Sequence, residues 1–194
     1  MMDLLTLDYE TYYAPEYTLS SMTTEAYIRD PRFEVILASA KWNDTPAFWM
    51  LPERLDQFLR EEVDWSDTAC IAQHAHFDGL ILSHHYGIKP AFWIDTLSMA
   101  RVIDGPKGKN GLEFLAPRHI PLAKKGDAIR WAFGKHLADF TRDELHAYGA
   151  YCCNDSELEY KLAKIFLPQI PERELRLIDL TIRMFTEPVF VGDT

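Results

Sequence analysis

The chain has 194 residues, 47% hydrophobic and 26% charged, which suits one globular domain with a substantial core. Asp plus Glu is 30 and Lys plus Arg is 20, a formal charge of −10, so bulk electrostatics do not draw nucleic acid to it; a site where metals and a few local cations handle phosphate stays open. No apolar run approaches the roughly 18–20 residues of a membrane span, and the sequence shows no secretory signal.

The first strand is predicted over residues 3–9. It runs into Asp8 and Glu10, spaced i, i+2, which face the same way if the strand holds that far. Two like charges beside a buried strand are costly unless neutralised, and hard Mg²⁺ or Mn²⁺ prefers such oxygens. A polar turn with both acids solvated is the alternative. Residues 24–30 read as a short helix capped by Thr23 or Thr24. Strands over 33–42 and 47–51, joined by Asn43-Asp44-Thr45, predict a hairpin. Pro52 opens a helix to about residue 63, with Leu55, Phe58 and Leu59 at helical spacing.

A short buried strand follows over 69–73, then a helix over 77–86 stopped by Gly87. Asp78 lies between them, at a strand end, where open α/β sheets build ligand sites. It also suits a helix N-terminus for its own sake. Residues 91–94 predict a strand and 96–102 a helix. The stretch 104–111, with three glycines and two lysines, reads as a mobile loop and lacks the spacing of a phosphate-cradling loop. A helix over 112–119 comes next. Residues 124–136 mix four basic residues with Trp131 and Phe133 and fit no regular period.

Thr141, with Glu144 three residues on, makes a capping box for a long helix to about residue 166, ended by Pro168 and Pro171. Tyr151 and Asp155 are i, i+4 on it and share a face. A phenol and a carboxylate so placed can orient water and hold a metal, or be a boundary pair with no role. Residues 172–185 read as a last amphipathic helix, lined by Leu175, Ile178, Ile182 and Phe185. The three cysteines are Cys70, Cys152 and Cys153, an odd number with two adjacent, which argues for a reducing cytoplasm and plain helix residues at 152 and 153. Three strands, then strand–helix–strand–helix, then helices predict an α/β fold with a mixed sheet flanked by helices.

Taken together, Asp8-x-Glu10, then Phe77-Asp78, then Tyr151-x-x-x-Asp155 form an ordered set. In this set the chain resembles the DEDD superfamily of 3′–5′ exonucleases, in its tyrosine subclass. The resemblance covers nearly the whole chain and includes Ile94-Asp95-Thr96-Leu97. Leu137-Ala138-Asp139-Phe140 and the stretch 180–188 resemble the proofreading exonuclease domain of family A, phage-like DNA polymerases. The resemblance implies a ribonuclease H-like fold with five strands and two divalent cations, Mg²⁺ or Mn²⁺. It implies Asp8, Glu10 and Asp155 on one cation, and Asp8 with Asp78 on the other. Tyr151 would orient water, and Thr11, His74 and Phe77 would contact substrate. The implied substrate is the 3′ end of single-stranded DNA, in a bacterial or phage-infected cytoplasm. Residues 1–168 would be the nuclease domain, and 169–194 the passage into a polymerase part. One departure stands out: His74 occupies the place where the family's second motif has Asn.

Three other readings compete. An exoribonuclease would use the same four acids. A silent nucleic-acid-binding module would be expected to have lost one of them. A metal hydrolase built on His74-x-His76 has a real ligand pattern but lacks the chain length of the barrels that use it. Lys107, Lys109, Lys124, Lys125, Arg130 and Lys135, with Trp131 and Phe133, could grip a single strand, or the aromatics could return to the core.

Overall fold

A computed structural model describes residues 2–121, 123 and 130–187. Lys124, Lys125 and Pro188 lie outside the described residues. Five strands form one mixed sheet in the order β3-β2-β1-β4-β5. β1 (Asp3–Thr11) is central, antiparallel to β2 (Val35–Trp42) and parallel to β4 (Thr68–Ala72). β3 (Phe48–Met50) completes the expected hairpin with β2, and β5 (Phe92–Asp95) runs parallel to β4. This is the α/β architecture expected from the order of elements.

Alternation along β1 sorts its side chains. Leu5, Leu7 and Tyr9 enter a core with Leu55 and Leu59, and with Leu80 and Ile81 of α3 (His76–Tyr86). Leu55 belongs to α2 (Pro52–Gln57), which continues as a π-helical turn over Phe58–Glu62. The opposite face packs against α4 (Thr96–Ile103), α5 (Leu112–His119) and the long α6 (Arg142–Phe166). β1 runs two residues further than expected, so Asp8 and Glu10 both lie within the strand. Its register slips between Glu10 and Thr11, a bulge of the kind found beside active sites.

Local chemistry accounts for the helix boundaries. Thr23 caps α1 (Thr24–Arg29) by accepting from Ala26 N–H at 3.2 Å. Gly87 ends α3 at φ +69°, a backbone conformation that costs other residues more. Thr141 and Glu144 form the expected capping box of α6. Gly149 sits mid-helix, where glycine costs about 1 kcal/mol against alanine. A methyl group there would lie 2.3 Å from the Trp49 ring, so glycine lets α6 sink onto the hairpin. That depth brings α6 within reach of β1.

α7 (Glu172–Thr186) buries Ile178 and Ile182, as its spacing predicts, and covers the outer edge of β5. Asp179 accepts from the Trp93 N–H at 2.8 Å, and Arg183 donates to the Pro90 and Ala91 carbonyls. One spare N–H of an edge strand, that of Trp93, is thereby satisfied, and the chain leading into the strand is held. The 104–111 loop is tied down rather than loose. Gln73 Nε2 donates to the Asn110 carbonyl at 2.9 Å, Asn110 Nδ2 to the Gly105 carbonyl at 3.1 Å, and Arg118 to Asp104 and the Lys109 carbonyl. No helix among the described residues is long and apolar enough to cross a membrane.

Candidate active site

β1 presents Asp8 and Glu10 to α6. Cys152 Sγ of α6 lies 3.3 Å from Asp8 Oδ2 and 3.2 Å from Ser39 Oγ, and Ser39 pairs with Asp8 across the β1–β2 ladder. Ser39 Oγ also donates to the Cys152 carbonyl at 2.9 Å and lies 2.6 Å from Ser156 Oγ. Asp155, three residues after Cys152 on α6, is buried. Donor atoms of Asp8, Glu10 and Cys152 lie within 4.8 Å of one another.

Asp78 approaches from the start of α3 and is buried. Burial first, then the nearby Asp8 charge, push its carboxyl well above the ordinary carboxylate value; the N–H of Tyr9 and its own N–H pull it partly back. β1 and α6 thus bring Asp8, Glu10 and Cys152 together, and α3 sets the buried Asp78 near the Asp8 charge. A crowd of carboxylates with two or more buried is unfavourable until a cation shares their charge. The residues therefore fit divalent cations held by oxygen ligands.

The shift on Asp78 has a testable sign. The folded chain holds this proton more tightly than the unfolded chain. In chelator, its contribution to stability is full below the ordinary carboxylate value of 3.8 and is lost as pH rises through the raised folded value. Asp78→Asn removes that loss. Its melting-temperature advantage over the wild type in chelator is expected to grow as pH rises from the ordinary carboxylate value of 3.8 toward neutrality. An advantage that shrinks with pH would contradict the assignment.

Two residues of this site escape sequence reasoning. Cys152, read there as a plain helix residue, touches Asp8. Tyr148, one turn before it, donates its hydroxyl to Glu10 Oε2 at 2.9 Å and is buried. Burial and Glu10 raise the Tyr148 phenol far above its usual range, so it stays a donor. Partners of metal-ligating groups typically change metal affinity 10–100-fold when lost. Tyr148→Phe is expected to raise the Mg²⁺ concentration giving half-maximal cleavage by about tenfold. A Mg²⁺ titration coincident with the wild type would show that Glu10 does not depend on this bond.

Tyr151 is half-buried and packs against the cluster that holds Tyr148 and Cys152. Thr11 is buried, and its hydroxyl lies 2.8 Å from the Tyr27 hydroxyl, so that side chain is engaged within the fold. Phe77 is half-buried, 6.0 Å from the Tyr27 ring. His74 is exposed at φ +69°. Asn and His are among the few residues enriched in that left-handed region, which gives a physical reason for either at this position. The turn is held by Asp95, whose Oδ1 accepts from the His74 and Ala75 N–H groups at 2.8 and 3.1 Å. His74 and His76, with rings 5.7 Å apart, line a cleft of about 490 Å³ with Thr23, Thr24, Glu25 and Phe185. The metal-competent group found among the described residues is Asp8, Glu10 and Cys152, and it includes neither these histidines nor Asp78 and Asp155.

No family model and no curated protein matches the sequence. Solved structures do match the fold. RNase D of Trypanosoma brucei superposes with a TM-score of 0.71 at 15% identity, over 97% of this chain and 68% of that one. Its complex with RNA U12 gives 0.70 at 15% identity, over 97% and 66%. NrnC of Brucella melitensis bound to pGG gives 0.62 at 16% identity, over 96% and 82%. A further NrnC structure, with bound Mg²⁺, gives 0.60 at 14% identity, over 96% and 83%. The chain has the ribonuclease H-like fold. It spans about two thirds of the RNase D chains and most of NrnC.

Proposed function

We propose that this protein is a metal-dependent 3′–5′ exonuclease acting on single-stranded RNA. The observation that carries the reading is the meeting of Asp8 and Glu10 from β1 with α6, where donor atoms of Asp8, Glu10 and Cys152 lie within 4.8 Å, beside the buried Asp78. Asp8, Glu10, Asp78 and Asp155 would hold the cations. Two divalent cations, when bound, supply the charge that activates water and stabilises the leaving 3′ oxygen. The chain's own groups do the rest. Tyr151, one turn before Asp155 on α6, orients the attacking water. Tyr148 keeps Glu10 in place. His74 and Phe77 seat the terminal nucleotide at the strand end.

RNA is preferred to DNA for two reasons. The fold is shared with structures bound to RNA U12 and to pGG, while the expectation of a proofreading domain rests on short stretches of sequence likeness. One of those stretches has a task inside this fold, because Arg183 holds the Pro90 and Ala91 carbonyls just before β5 and needs no polymerase part to explain it. Single-stranded DNA remains the second reading, since nothing about the four acids distinguishes the sugar. The test is a matched pair of 5′-labelled RNA and DNA strands in Mg²⁺, Mn²⁺ or chelator. A metal-dependent ladder of shorter RNA products, formed faster than from DNA, is expected. Faster DNA degradation would overturn the substrate, and no cleavage in either metal would overturn the activity.

A further inference from the structure

Trp131 and Phe133 keep 40% and 46% of their surface exposed beside the site. Both rings are held from behind. The Trp131 ring centre lies 5.9 Å from those of Phe140 and Tyr148, and that of Phe133 lies 5.4 Å from Tyr13. Ala132, between them, is buried with Tyr148 and Cys152, and the Gly134 N–H donates to the Tyr13 carbonyl at 2.8 Å. The segment is therefore fastened to the end of β1 and to α6 while both rings keep a large part of their surface open. Lys135 adds a cation, its Nζ 5.6 Å from the Trp131 ring centre and paired with Glu144 Oε1 at 2.5 Å. Tyr148 supports Trp131 at its ring and Glu10 at its hydroxyl, so the exposed rings adjoin the acidic cluster.

We propose that Trp131 and Phe133 form a stacking platform for unpaired nucleobases of the strand whose 3′ end enters the acidic site. The inference rests on the nuclease reading above. A rigid aromatic face with an adjacent cation suits a flexible polyanion whose every residue carries a π-surface. A net acidic chain gains most from such contacts, because its overall charge repels phosphate. The platform takes any base and either sugar, and it contributes only when the strand is long enough to reach it.

The test compares wild type, Trp131→Ala, Phe133→Ala and Trp131→Tyr on a labelled strand of about twelve nucleotides and on a dinucleotide, in Mg²⁺. Melting temperatures report whether each variant folds. Each alanine variant is expected to lower kcat/KM for the strand about tenfold relative to that for the dinucleotide, with Trp131→Tyr recovering most of the loss. Equal effects on both substrates would overturn the platform and leave the nuclease standing. If the wild type cleaves nothing, fluorescence anisotropy of the same strand with metal-free protein decides the matter. Binding by wild type that is lost in the alanine variants sustains the platform. Binding that is unchanged, or absent from the wild type, overturns it.

Discussion

Asp8→Asn is expected to reduce metal-dependent cleavage by about a thousandfold or more while leaving the fold intact. Asp8 sits in the middle of the central strand, within reach of Cys152 on α6, and its charge acts on the buried Asp78. In the proposed site, losing this carboxylate removes several kcal/mol of cation-mediated stabilisation of the reacting phosphate, and each 1.36 kcal/mol is tenfold in rate. The same substitution is expected to raise the melting temperature in chelator by about 2 °C or more, because one repulsion within the cluster disappears. The two effects have opposite signs, which separates a functional carboxylate from a structural one. Full turnover by Asp8→Asn in Mg²⁺, or a lower melting temperature in chelator, would contradict the role assigned here.

Asp95→Ala is expected to be the most damaging change to stability. Asp95 is fully buried, and its carboxylate gathers five donors. These are the N–H groups of His74, Ala75, Leu97 and Ser98 and the Ser98 hydroxyl, at 2.5–3.3 Å. It caps α4 and closes the turn between β4 and α3 at once. Alanine leaves those donors facing a void, at a cost of about 3 kcal/mol or more. In a chain of this size that lowers the melting temperature by about 6–12 °C. Activity should fall as well, measured well below the melting point, since the turn sets Phe77 and Asp78. A melting temperature within about 2 °C of the wild type would show that the turn does not depend on Asp95.

Much of this arrangement is legible in the chain because its cues are local. The alternation at Asp8 and Glu10, the Thr141 capping box and the Gly87 stop each depend on a few neighbouring residues. Tyr148 and Cys152 are different. They precede Asp155 by seven and three residues and so share its side of α6, but nothing local says which side faces β1. The rotation and depth of α6 are set by Gly149 against Trp49, a contact made across the fold. The spacing 148, 152, 155 is itself a helix-face pattern and was the available signal. Asp95 could have been found too, because an Asp directly before Thr-Leu-Ser has the form of a helix cap. Its second task, holding the His74 turn 21 residues away, needs the β4–β5 pairing. Thr11 shows another non-local dependence, since its hydroxyl pairs with that of Tyr27, 16 residues away on α1.

The central claim is that the acids on β1, α3 and α6 form one divalent-cation site. The most direct measurement is an anomalous-scattering map from crystals of the protein grown with Mn²⁺ and a nucleoside monophosphate. Two manganese peaks are predicted, both touching Asp8, one also reaching Glu10 and Asp155 and the other beside Asp78. Manganese at His74 and His76 with none at Asp8 would contradict the account.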